Sequence, residues 1–186
     1  MASIATNVAK AKAKQGRKLD LDQGAFDAFV KRVEFEIGNR NKLNKVAAGK
    51  LAQSYGIDNP NEIKELVELA IVNSARAIIK KGGAYSYTEQ TFRNLVDLYN
   101  NQMNLAHRTS QSVLLQQYST PAPVSYLAGL LCVSLVGDNW VGFEPSAGNG
   151  LLTIAGTPDH WVVNEIDDFR RNNLMQQGLW FAFKTY

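Results

Sequence analysis

The chain has 186 residues, 45% of them hydrophobic and 20% charged, the composition expected of a soluble globular protein of one or two small domains. A single cysteine, Cys132, excludes an internal disulfide, and with only two histidines it offers no zinc-ligand set. The net charge of +3 is unevenly spread: 16 Lys and Arg stand against 11 Asp and Glu in residues 1–100, and 4 against 6 in residues 101–186.

The basic excess of the first part has two readings, a solvated helical surface or a footprint for nucleic-acid phosphates. The longest apolar stretch, Val124 to Val136, contains two serines and is too short to span a bilayer, so no membrane partner is expected. Lysines near the N-terminus lack an accompanying apolar segment of the secretory kind, and a cytoplasmic location is the default expectation. Lys10, Lys12, Lys14, Arg17 and Lys18 lie in a stretch without apolar periodicity, so residues 1–19 read as a flexible basic arm.

Residues 20–107 read as a helical domain. Phe26, Phe29, Val30, Val33 and Ile37 recur at helical spacing, and Gly38 ends the run. Leu43, Val46, Ala47, Leu51 and Ala52 suggest a shorter helix closed by Gly56. The clearest start follows: Asn59 can cap, Pro60 suits the first helical position and Glu62 stands three after the cap. The apolar face of that helix is Ile63, Leu66, Val67, Ala70, Ile71, Ile78 and Ile79, and Lys80-Lys81 before Gly82-Gly83 suit its C-terminal end. Ser86 to Glu89 forms a second capping-box pattern, ahead of Phe92, Leu95, Val96, Tyr99 and Met103. Leu43 to Leu66 superficially looks like a helix-turn-helix reader, but two helices joined by a glycine turn explain it without a basic recognition helix.

Residues 108–186 change character. Thr120-Pro121 can start an apolar helix running from about Ala122 to Val136, in which Cys132 is most simply a buried small apolar residue. Trp140 to Phe143 reads as a short buried strand, stopped by Glu144-Pro145. Ala147-Gly148-Asn149-Gly150 supplies a sharp turn that a ligand can approach closely, and Leu151, Leu152 and Ile154 suggest the inner face of a short helix. Leu151 after Gly150 is not the Lys-Ser/Thr of a Walker loop, and Glu144 is not the glycine of a hydrolase elbow. The dinucleotide pattern G-x-G-x-x-G fits Gly148 and Gly150 but has Thr153 in third place. Trp161 to Asn164 is a second short strand. Glu165 beyond it stands where an acidic residue ends the second strand of a nucleotide-binding unit, or else Glu165 and Asp167 favour the start of a helix from Asp168 to Gln177. Leu179 to Phe183 suggests a third strand.

Glu144-Pro145-Ser146-Ala147-Gly148-Asn149-Gly150 closely resembles motif I of the S-adenosylmethionine-dependent DNA adenine-N6 methyltransferases of restriction-modification systems. The resemblance implies that this loop holds the methionine end of S-adenosylmethionine. Tyr118, Thr120 and Pro121 match the family's motif X, which precedes motif I by one helix and closes over the methionine carboxylate. Glu165-Ile166-Asp167 resembles motif II, which implies that Glu165 accepts hydrogen bonds from the ribose hydroxyls with Ile166 beside it.

The fold so implied is α/β: a helical domain over 20–107, then a partial Rossmann-like methyltransferase sheet over 108–186 with strand order 3-2-1. The family's catalytic motif, Asn/Asp/Ser-Pro-Pro-Tyr/Phe, has no counterpart, since no two of the five prolines are adjacent. No catalytic residue and no metal ligand is therefore assigned. The chain is expected to be the N-terminal, cofactor-binding portion of such an enzyme, with DNA as the partner of the complete protein. A non-catalytic cofactor- or DNA-binding module and a fragment of a dinucleotide-dependent enzyme are the alternatives. Without a fourth strand, the edge of the first is expected to be covered by a second copy of the chain or by the helical domain folding back.

Overall fold

The computed structural model describes residues 23–83, 87–103, 119–137 and 140–181. The basic arm, Ser86, Tyr118 and the expected domain boundary after Met103 lie outside them.

Residues 23–38 form α1, with Phe29, Val30 and Val33 buried at helical spacing. The next helix, α2 (Lys45–Gln53), is capped by Asn44, whose Oδ1 accepts from the Ala47 N–H at 2.9 Å. It closes in a Schellman turn. Gly56 takes φ 76°, its N–H donates to the Gln53 carbonyl, and the N–H of buried Ile57 reaches back to the Ala52 carbonyl. Ala48 and Ala52 face the core, whereas Val46 stays exposed on the far side of this short helix.

The long helix α3 (Pro60–Gly82) starts as its sequence predicts, with Asn59 Oδ1 accepting from the Asn61 N–H at 3.0 Å and Asn59 Nδ2 donating to Glu62 at 3.2 Å. Every position from Glu65 to Val72 is buried, so this stretch is wrapped on all sides and cannot show a simple amphipathic stripe. Helix α4 (Glu89–Asn101) is capped by Thr88, which takes the N–H of Thr91 at 3.1 Å, instead of by Ser86. It lays Thr91, Leu95 and Leu98 against α3, where Gly82 leaves no room for a Cβ opposite the Thr91 hydroxyl.

Helix α5 (Ala122–Val136) buries Ala122, Ser125 and Tyr126 and leaves Val124, Leu127, Leu131 and Leu135 exposed. Cys132 is exposed as well, contrary to the buried position expected of it, because it lies on the outer side of this helix. No described helix is long and apolar enough to cross a membrane.

The described chain is mainly helical, with a small parallel sheet that makes it α/β. Strands β1 (Gly142–Glu144), β2 (Trp161–Val163) and β3 (Trp180–Phe181) lie in the order β1-β2-β3, with Gly142 opposite Trp161 and Val162 opposite Trp180. Helix α6 (Asp168–Met175) connects β2 to β3. The buried strand expected over Trp140–Phe143 is thus displaced and less covered. Trp140 is buried ahead of β1, but Val141 and Phe143 (55% exposed) alternate onto an open face. Gly142 is fitted between two indoles: a Cβ there would come within 2.6 Å of the Trp161 ring and 2.9 Å of Trp140.

One core joins α1–α5 to Leu151 and Ile154, and a second holds Trp140, Ala147, Trp161, Val163, Leu174 and Leu179 under the sheet. The segment following the glycine turn belongs to the first core and the turn's Ala147 to the second.

Candidate functional site

The turn begins where β1 runs out. Glu144 folds its carboxylate back on the chain and accepts from the Ser146 N–H at 2.9 Å, an Asx-like local bond that bends the backbone away from the sheet. The Glu144 carbonyl still accepts from the Asn164 N–H (2.9 Å) and the Ala147 N–H donates to the Asn164 carbonyl (3.0 Å), so β2 steers the turn past the strand end. Gly148 (φ 56°) and Gly150 (φ 91°) adopt the left-handed conformations that glycine reaches without steric cost.

The two glycines face different surroundings. A Cβ at Gly150 would lie 2.8 Å from Gln177 Oε1 and 3.1 Å from Leu174, so this glycine lets α6 approach. At Gly148 the nearest atom to such a Cβ is Arg170 Nη1, 3.9 Å away, an ordinary contact, so this glycine is required by its backbone conformation and not by a close neighbour. Ser146 and Pro145 are exposed, Ala147 is buried beneath them.

The helix expected after the turn is a four-residue 3-10 segment, Leu151–Ile154, kinked at Thr153. Thr153 donates its hydroxyl to the Gly150 carbonyl at 2.8 Å and is fully buried, which tightens the chain instead of letting it propagate as an α-helix. So short a segment carries little helix dipole, and the cradle owes its shape to side chains from elsewhere.

Glu165, at the end of β2, is 5% exposed. Its Oε2 accepts from the Gly148 N–H at 2.7 Å and its Oε1 from the Asp167 N–H at 2.9 Å, so one carboxylate clasps the glycine turn to the start of α6. Asp167 caps α6 by accepting from the Phe169 and Arg170 N–H groups, both at 3.0 Å. Ile166 between them is 77% exposed. Thr120 is half-buried, and Pro121 offers its carbonyl to the N–H (3.0 Å) and hydroxyl (3.2 Å) of Ser125 at the head of α5; among the described residues no hydrogen bond joins either to the glycine turn.

No family model, curated protein or solved structure matches the chain.

Sequence reasoning missed the polar network beneath the turn. Glu65 of α3 pairs with Arg170 of α6 through Nε (2.7 Å) and Nη2 (3.1 Å), and accepts from Asn149 Nδ2 at 2.7 Å. Asn149, 1% exposed, accepts in turn from Asn173 at 2.8 Å, and its backbone carbonyl from Gln177 at 2.9 Å. Arg76, also on α3, donates to the carbonyl (2.9 Å) and hydroxyl (2.8 Å) of Thr153 and to Gln177 (3.2 Å); burial pushes its guanidinium down to about 10. One turn beyond Glu65, Glu68 accepts from the Ser119 hydroxyl, and burial followed by the neighbouring Glu65 pushes its carboxyl up. The signal was available: Glu65 and Glu68 interrupt the most apolar part of α3, and carboxylates in such a position need partners.

Proposed function

We propose that the chain is the cofactor-binding portion of a DNA adenine-N6 methyltransferase, with S-adenosylmethionine bound over Gly148. The observation that carries this reading is the clasp between Gly148 and Glu165. It brings the turn that resembles motif I and the acidic residue that resembles motif II to one edge of the sheet, at the carboxyl ends of β1 and β2.

The residues present fit such a cofactor. Each oxygen of Glu165 takes one backbone N–H, and a carboxylate has about four acceptor sites, so the ribose hydroxyls can be accepted as well. In this reading exposed Ile166 is available to an adenine ring, Ser146, Gly148 and Gly150 shape the turn for the methionine end, and Thr120-Pro121 are assigned to the methionine carboxylate by their resemblance to motif X. The cofactor supplies the methyl group; this chain's residues bind and orient. The positive balance of residues 1–100 supports DNA as the partner.

A second reading, a non-catalytic cofactor-binding module, is favoured by one observation, the absence of any Pro-Pro pair in the 186 residues. Binding of a dinucleotide is disfavoured by Thr153, which stands where that pattern has glycine and is fully buried. Calorimetric titration with S-adenosylmethionine, S-adenosylhomocysteine and NAD separates these readings. The proposal expects the first two to bind and NAD not to; heat from NAD alone would overturn it. A tritiated-methyl assay on adenine-containing DNA is expected to give background from this chain alone.

A further inference from the structure

We propose that Glu65 of α3 is a positioning residue for the cofactor turn, fixing Gly148-Asn149-Gly150 through the side chain of Asn149. The inference rests on the cofactor reading for its functional consequence, but its structural part stands on contacts within the chain.

Glycine visits positive and negative φ with similar ease, so a turn with Gly148 at 56° and Gly150 at 91° does not select its own conformation. The residue between them has to be held. Asn149 is held on three sides: Nδ2 by Glu65, Oδ1 by Asn173 and the backbone carbonyl by Gln177. Asn173 and Gln177 lie on or just after α6, and both belong to the same unit as the turn. Glu65 comes from 84 residues upstream and ties that unit to the helical segment.

Glu65 is itself a fixed post. Arg170 grips it through two nitrogens, a charge-assisted fork with little rotational freedom. Lys64 Nζ also lies 3.5 Å from Oε1, and Asn149 donates to Oε2, the oxygen that takes Arg170 Nε, so the buried carboxylate has its acceptor sites filled. The pair therefore serves as an anchor for the turn. Holding Asn149 also aims the Gly148 N–H at Glu165, which places the carboxylate assigned to the ribose.

The test uses the full chain and two readouts. Hydrogen exchange followed by mass spectrometry reports the turn directly, and calorimetry with S-adenosylhomocysteine reports the cofactor. Asn149→Ala leaves the Glu65–Arg170 pair intact, whereas Glu65→Gln would also strip buried Arg170 of its counter-charge. Asn149→Ala is expected to speed exchange in residues 147–152 by about tenfold and to weaken S-adenosylhomocysteine by a similar factor, the size of one lost charged hydrogen bond. Exchange in residues 23–53 should not change. Asn149→Asp keeps an acceptor for Asn173 but turns a carboxylate oxygen toward Glu65 Oε2, and is expected to speed exchange in the turn at least as much as Asn149→Ala. Unchanged exchange in the turn of Asn149→Ala would overturn the inference, as would an Asn149→Asp turn that exchanges at the wild-type rate. Failure of the wild type to bind S-adenosylhomocysteine would instead overturn the cofactor reading, and exchange would still decide whether Glu65 holds the turn.

Discussion

Glu165 offers the most direct check on how the site is built. Replacing it with alanine removes the acceptor of two backbone N–H groups, those of Gly148 and Asp167, from a position that is 5% exposed. A hydrogen bond to a charged group contributes roughly 1.5–3 kcal/mol, and a buried donor left unpaired costs roughly 1–3 kcal/mol. Gly148 and Asp167 are only half-buried, so water can reach part of each vacancy and the lower half of the range applies. Glu165→Ala is therefore expected to destabilise the protein by about 2–4 kcal/mol. Glu165→Gln keeps one acceptor but turns an NH2 group toward the second N–H, and should cost about 1–2 kcal/mol. For a chain of this size each kcal/mol lowers Tm by about 2–4 °C, so calorimetric or circular-dichroism melts at pH 7 resolve the series. Under the cofactor proposal the same alanine variant should weaken S-adenosylhomocysteine by about tenfold or more, the size of one charge-assisted hydrogen bond. An alanine variant within about 0.5 kcal/mol of wild type would refute the clasp, whatever it did to binding.

Three further outcomes are expected. The Glu68 carboxyl is pushed above its ordinary value of 4.5 by burial, so below 4.5 it is protonated in both folded and unfolded chains, and stability is lost as pH rises toward the folded value. Glu68→Gln, which still accepts from Ser119, should thus melt higher than wild type at pH 7.5 and equal to it at pH 4; an equal gap at both would contradict the assignment. Gly142→Ala drives a methyl group into the rings of Trp161 and Trp140 and should cost about 1–3 kcal/mol, with a change in tryptophan fluorescence. Strand β1 pairs only with β2 among the described residues and carries exposed Val141 and Phe143, so light scattering at micromolar concentration is expected to show a dimer; a monomer with rapidly exchanging β1 amides would exclude it.

Much of the architecture is legible in the residues because its causes are local. Asn59-Pro60 and the Lys-Lys-Gly-Gly end of α3 act within one helical turn, and Asp167 caps α6 from its own neighbourhood. Gly148 and Gly150 mark the turn for the same reason. The errors arise where tertiary surroundings decide. Thr88 displaces Ser86 as the cap of α4 because its hydroxyl meets Thr91, the residue that packs against Gly82. Cys132 is exposed because α5 is apolar all round, and periodicity cannot say which side of such a helix faces the core. The polar network is the largest omission, since its partners are separated by 84 and 105 residues and no spacing rule connects them.

That network changes how the turn is to be understood. In a nucleotide-binding unit with a full helix after its glycine turn, aligned peptide dipoles and free N–H groups make the anion-binding end. Here the segment after the turn lasts four residues, and Thr153 bends it back. The turn is shaped instead from α3, which lies in a different part of the sequence. Glu65 holds Asn149, Arg76 holds the Thr153 carbonyl, and Glu68 holds Ser119 beside Thr120-Pro121. Arg170, paired with Glu65, also brings Nη1 into contact range of Gly148, and the orientation of that side chain is set by α3. A turn assembled this way depends on the helical segment for its geometry, because the buried polar contacts that join them would be left unpaired in either part alone.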